Sequence, residues 1–186
     1  MKLLLHSCCA PCSTFCIKSL REEGIEPTLY FYNPNIHPYM EYKARRDCLK
    51  KYAKTLGIKL IIEEEYGLDE FCAKVSGRLD TRCEDYCYPK RMERVVQYGL
   101  AHGYDHFSTT LLISPYQKHE KLKAICESFA GLGIDFLYRD FRIGFEESRK
   151  MATEAGLYLQ KYCGCIFSEE ERFARRIKHD GAWART

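Results

Sequence analysis

Short apolar runs of strand length alternate with amphipathic stretches of helical period along almost the whole chain, and this alternation constrains the fold more than any other feature. The runs are Lys2 to His6, Glu26 to Tyr32, Ile58 to Glu64, His106 to Leu112 and Ile134 to Tyr138. Helical spacing appears in Ser13 to Glu23, Glu41 to Leu56, Lys90 to His102, Lys118 to Phe129 and Glu146 to Ala155, and a glycine follows four of the five. The pattern predicts an α/β, Rossmann-like parallel sheet with helices on both faces, whose ligands gather outside the carboxyl ends of the strands. The stretch Tyr66 to Cys87, with Gly, Asp and paired cysteines, reads as an excursion from that sheet. A last helix over Ser168 to Lys178 has Ser168 as its expected N-cap, an acidic first turn and a basic last turn, in line with the helix dipole. No repeat, low-complexity segment or linker divides the 186 residues, which read as a single domain.

A chain of this length buries enough surface to fold without disulfides, so its eleven cysteines need another explanation. The number is odd, MKLLLHSCCAPCS carries no long apolar leader, and no apolar run approaches the roughly 18 to 20 residues that span a bilayer. These features predict a reducing, cytoplasmic compartment and no membrane partner. Clustered thiols there mean metal binding or redox chemistry more often than bridges. Cys8 and Cys9 fall where the first strand hands over to a helix, whose free amide groups favour thiolates. Two thiols and Pro11 stand where a nucleotide-binding turn would be glycine-rich, so no phosphate loop is present. Cys12 and Cys16 follow on the helix and read equally as core or as site. Cys83 and Cys87, four apart, share one face of a helix. With Cys8 and Cys9 they supply the four thiolates that an iron–sulfur cluster or a structural zinc requires. In Cys163-Gly164-Cys165 the glycine lets both sulfurs face one site, and a disulfide across so small a loop is easily reduced. Cys48, Cys72 and Cys126 read as core.

Taken together, LLLHSCCAPCS at 3 to 13, FYNPNIHPYMEYKARR at 31 to 46, CYPKRMER at 87 to 94, STTLLISPYQKHEKL at 108 to 122 and KYCGCIFSE at 161 to 169 resemble the cobalamin-independent epoxyqueuosine reductases. The resemblance implies a tRNA-modifying oxidoreductase that removes the epoxide oxygen of epoxyqueuosine at the wobble position, the last step of queuosine biosynthesis. It also implies a four-iron four-sulfur (4Fe-4S) cluster on Cys8, Cys9, Cys83 and Cys87, and a redox-active pair at Cys163 and Cys165. The family's second pair is usually spaced C-x-x-C, whereas RCEDYC here has one residue more, so Cys83 matches less closely than Cys87.

Deoxygenating an epoxide to an alkene needs two electrons and the loss of oxygen as water. A cluster passes electrons singly and a dithiol holds two, so the two together meet the need. A second iron near Cys163 and Cys165 is the alternative, as a Lewis acid on the epoxide oxygen. Asp80, Asp85 and Asp140 are candidate ligands or proton relays, with turn or cap roles as the plainer reading. Tyr88 and His6 are candidate proton donors with packing as the plainer reading. A net charge of +3 does not by itself indicate RNA. Local clusters carry that argument: Arg45, Arg46, Lys50 and Lys51; Lys90, Arg91 and Arg94; Lys118, Lys121 and Lys123; and Arg175, Arg176, Lys178 and Arg185. Tyr30, Tyr32, Tyr39 and Tyr116 are candidates to stack on anticodon bases, and the loop Asn33 to Pro38 is a candidate flap over the modified base. The electron donor is not legible. A zinc-stabilised RNA-binding module and a thiol redox sensor are the competing readings.

Overall fold

The computed structural model describes residues 1–182, so Arg185 of the basic tail lies outside the described residues. The expected strands are β1 (Leu3–His6), β2 (Thr28–Phe31), β3 (Leu60–Ile62), β4 (His106–Thr109) and β5 (Asp135–Phe136), all parallel, in the order β3-β2-β1-β4-β5. β1 is central and buried along its length, apolar as far as Leu5, because neighbours pair with it on both sides and helices cover both faces. Its register sets Leu5 beside Leu29 and Ser108, and His6 beside Tyr30 and Thr109.

The helices are α1 (Ala10–Glu22), α2 (Tyr39–Leu56), α3 (Leu68–Val75), α4 (Tyr88–Ala101), α5 (His119–Glu127), α6 (Phe145–Glu154) and α7 (Ile166–His179). Right-handed crossovers put α1 and α2 on one face as the chain steps outward from β1 to β3, and α4 and α5 on the other once it returns to β4. The packing agrees: α1 lies on α2 and α6, and α4 lies on α5. At Gly144 a methyl group would fall on the Phe15 ring, so this glycine permits the close approach of the α6 entry to α1. The strand order reverses between β1 and β4, which makes the carboxyl end of that pair the switch-point crevice where α/β sheets bind ligands.

Several boundaries differ from the sequence reading, each for a local reason. α1 starts at Ala10, not Ser13, because extended Cys9 already serves as its cap residue and Pro11 suits a first turn. The run His106 to Leu112 splits after Thr109, whose hydroxyl accepts the Leu111 N–H and winds Thr110–Ile113 into a 3₁₀ turn. The excursion before α4 holds the unforeseen helix α3 and a π-helical turn over Cys83–Cys87. The cap of α7 is Cys165 instead of Ser168, since the Cys165 sulfur accepts the Ser168 N–H at 3.4 Å. Among the described residues no helix is long and apolar enough to cross a membrane.

Candidate metal and thiol site

The crevice opens on Ser7 to Cys12, and there the sulfurs of Cys8, Cys9 and Cys12 all lie within 4.8 Å of one another. Cys8 and Cys9 sulfurs are 3.7 Å apart, and the Cys8 sulfur is 3.8 Å from the Thr110 hydroxyl. Hydrogen bonds from Cys12 and then Cys9, with Arg45 and His6 nearby, hold Cys8 well below the usual thiol range. Burial pushes Cys9 up, and the bonds it gives to Cys8 and Cys9 push Cys12 up. Three sulfurs this close form a donor set that a soft metal ion can hold by displacing their protons. Gln160 points its amide N–H at Cys9 (3.1 Å) and Cys12 (3.5 Å). Cys12 thus joins the site, while Cys16 is core.

A second thiol group stands at the start of α4. The Tyr88 N–H bonds to the Cys83 carbonyl five residues back, closing the π turn and setting Cys83 beside Cys87. A hydrogen bond from Cys87 pulls Cys83 down to about 6, and the same bond together with burial pushes Cys87 up. Cys87 and Cys165 share a small apolar cluster with Phe71 and Val75.

The C-G-C turn is fastened from several directions. Gly164 has φ +153°, and a methyl group on it would stand 3.2 Å from Ile36 and 3.4 Å from the Arg45 guanidinium. Arg45 donates to the carbonyls of Tyr162 (2.9 Å) and Cys163 (2.7 Å) and to Glu41 (2.7 Å). The His37 N–H donates to the Gly164 carbonyl at 2.7 Å, and the Tyr162 hydroxyl to the His37 carbonyl at 2.6 Å. Gln117 donates its amide N–H to the Cys163 sulfur at 3.2 Å. Beside the turn, Pro38, Tyr158, Tyr162 and Ile166 line an open cleft of about 400 Å³.

Several candidates take structural roles. Arg45 and Arg91 are 1% and 4% exposed, which removes both from any RNA-contacting surface. Arg45 spends its donors on Glu41 and the C-G-C turn, and Arg91 donates to the Cys87 carbonyl at 2.8 Å. Their charges face the thiols of Cys8, Cys9 and Cys83. Tyr30 and Tyr32 are buried and bond to Glu63 and Glu65, so neither can stack on a base, whereas Tyr39 and Tyr116 are exposed. Asn33 to His37 form a buried wall in place of a flap, and only Pro38 at its end is exposed: Asn33 donates to the Ser7 carbonyl, and His37 is tied to the turn. Asp140 caps a turn and pairs with Arg142, which holds it down to about 2; Asp85 accepts from Thr81. Tyr88 donates to Gln117 at 2.8 Å. Cys126 is core as expected; Cys48 accepts the Tyr158 N–H, and Cys72 packs on the small cluster.

His6 is fully enclosed. Nδ1 faces the Thr109 hydroxyl at 2.9 Å, and Nε2 faces the Tyr32 carbonyl and the Asn33 side chain at 3.2 Å each. Burial, with Arg91 adding to it, lowers its pKa to about 3, so the ring is neutral at working pH. In the unfolded chain it takes up a proton near 6.5, so its stabilising effect is complete above that pH and is lost as pH falls toward about 3. The unfolding free energy read from denaturant titrations should therefore drop as pH falls across this window by up to about 1.4 kcal/mol per pH unit. His6→Asn should flatten that limb; an unchanged slope would show that His6 does not drive it.

The family model described as "Epoxyqueuosine reductase QueH" matches residues 3–171, a span that contains every thiol group above. The chain belongs to the epoxyqueuosine reductase QueH family. A relative of that name from Dehalococcoides mccartyi is 41% identical over 175 residues, covering 94% of this chain and 96% of its own. Another from Thermotoga maritima is 34% identical, covering 95% and 93%. Among solved structures, a predicted subunit of a tRNA methyltransferase from Methanocaldococcus jannaschii superposes with a TM-score of 0.51 at 15% identity, over 96% of this chain and 88% of that one. That likeness speaks for the parallel α/β fold alone. Within QueH, the residues the sequence reading missed are Gln117 and Gln160, and it gave Arg45 and Arg91 to RNA and not to the thiols. Gln117 lies inside one of the family-like segments, but its partner is 46 positions away.

Proposed function

We infer that this QueH protein is an oxidoreductase that converts epoxyqueuosine in tRNA to queuosine, working in the cytoplasm. One observation supports this reading above all: within the family match, Cys8, Cys9 and Cys12 cluster where β1 meets α1, Cys83 and Cys87 pair at the start of α4, and the C-G-C turn precedes α7.

Buried thiols free of disulfides, with two enclosed guanidinium groups facing them, suit a soft metal centre that carries negative charge. In our proposal Cys8, Cys9, Cys83 and Cys87 hold a 4Fe-4S cluster, and Cys12 is the replacement should Cys83 prove dispensable. The cluster supplies single electrons when bound. The rest of the chemistry belongs to this chain. Cys163 and Cys165 together lose two protons and two electrons and become a disulfide, while the epoxide loses its oxygen as water and becomes the alkene.

The test is anaerobic: purified protein should be brown, contain iron and sulfide, and convert epoxyqueuosine in tRNA as read by nucleoside mass. Colourless, zinc-loaded protein without turnover would support an RNA-binding module instead. Alanine at Cys8, Cys9 or Cys87 should abolish the visible absorption.

For tRNA, the cations Lys50, Lys51, Lys118, Lys121, Arg175, Arg176 and Lys178 are exposed, Lys118 pairing with Glu84 at 2.7 Å. Lys118 directly follows Gln117, which donates to the Cys163 sulfur, and Lys121 stands on the first turn of α5 after it. Affinity for an anticodon stem-loop should fall as salt rises, and Lys118→Glu with Lys121→Glu should flatten the log–log slope by about 0.7 to 0.9 for each phosphate that is no longer neutralised. Binding that ignores both salt and these substitutions would remove tRNA from this face.

A further inference from the structure

The two thiols of the C-G-C turn occupy unlike surroundings. Cys163 is exposed, and its sulfur meets the Gln117 amide at 3.2 Å. That amide is locked in orientation. The Lys118 N–H donates to the Tyr88 hydroxyl at 3.1 Å, so the hydroxyl's own proton goes to Gln117 Oε1 at 2.8 Å and leaves Nε2 to face the sulfur. Cys165 is 4% exposed and sits among Phe71, Val75 and Cys87. Its sulfur accepts the Ser168 N–H at 3.4 Å at the start of α7, and the Arg82 guanidinium lies beside it. Arg82 is held there by the Leu79 carbonyl at 2.6 Å and Glu171 at 2.7 Å.

Resting on the redox role given to this pair above, we propose that the oxidised turn is recharged by an external thiol reductant that attacks the Cys163 sulfur and expels Cys165. The donor thiolate forms an S–S bond to Cys163 as the Cys163–Cys165 bond breaks, and the electron pair departs on the Cys165 sulfur. A second donor thiol then displaces Cys163, so the pair gains two electrons and two protons and the donor leaves as a disulfide. Exchange requires approach along the S–S axis, and Cys163 is the member on the solvent side. The charge that leaves on Cys165 meets an amide at a helix N-terminus and a guanidinium, both placed to receive it. The donor's shared chemistry is a thiolate, whether on a small molecule or on a protein dithiol.

The experiment oxidises the holoprotein with one equivalent of diamide and confirms the Cys163–Cys165 disulfide by peptide mass. It then adds limiting glutathione in one arm and reduced thioredoxin in the other, quenches by alkylation and maps the mixed disulfide. Adducts on Cys163 should exceed those on Cys165 by about ten-fold or more. Cys165→Ser should take glutathione from glutathione disulfide at Cys163, and Cys163→Ser should leave Cys165 unlabelled. The arm that reacts faster identifies the source of the thiol. Equal labelling, or adducts on Cys165, would overturn the proposal while leaving the redox pair in place. If no Cys163–Cys165 disulfide forms, the redox pair falls and the proposal falls with it.

Discussion

Serine at Cys163 or at Cys165 is expected to stop conversion of epoxyqueuosine completely while leaving the visible absorption of the protein intact. The expectation rests on the separation of roles: Cys8 and Cys9 stand at the end of β1, whereas the C-G-C turn is built by the segment before α7 and held by Arg45 and His37. Pre-reduced enzyme without added reductant should convert one equivalent of epoxyqueuosine in tRNA and finish with the pair oxidised, and either serine variant should fail this single turnover. If the same substitutions remove about one iron per chain without loss of sulfide, the turn binds a second iron and is not the electron store. A double variant with full turnover would exclude both roles.

Arg45→Met should be the most destabilising single change in the molecule. The guanidinium and the Glu41 carboxylate form an ion pair that is 1% and 8% exposed, and Glu41 also accepts the Tyr158 hydroxyl. Removing one partner of a buried pair strands the other charge, which costs about 3 to 5 kcal/mol. It also leaves two carbonyls of the C-G-C turn without donors. Urea unfolding should show the loss; Arg45→Lys should recover part of it, because it restores the charge but not the fork of donors. Adding Glu41→Gln to Arg45→Met should recover more, by neutralising the stranded carboxylate. A loss of less than about 1 kcal/mol would mean that the pair is not enclosed as described.

The parallel sheet was legible from its alternation, because the period of apolar residues is a local property and the central strand opens on three consecutive leucines, Leu3 to Leu5. The thiol groups were legible for a related reason: adjacency in Cys8-Cys9 and Cys163-Gly164-Cys165 is itself local. What escaped was everything decided by distant partners. Arg45 looks like any cation on a charged helix until the turn 118 residues later folds over it. Tyr30 and Tyr32 have the residue type of a base-stacking platform, yet they sit on and just after β2 with their hydroxyls spent on glutamates beyond β3. Gln160 lies between Tyr158 and Cys163 without a pattern to mark it, and its partners are at the other end of the chain. The α7 cap was misplaced by three residues because a cysteine sulfur, not the serine hydroxyl, accepts the first amide.

The π turn at Cys83–Cys87 has a consequence for how the spacing of this cysteine pair can vary. Passed down a regular helix, one extra residue would rotate everything after it by about 100° and swing Met92, Val95, Val96 and Gly99 away from the sheet. Here the surplus is taken up in one wide turn before Tyr88, and these four residues stay buried against it. The start of α4 therefore tolerates a single-residue insertion or deletion between its cysteines without a change of phase downstream. Cys87 and Arg91, one turn apart, are kept on their bearing toward the crevice whichever spacing precedes them.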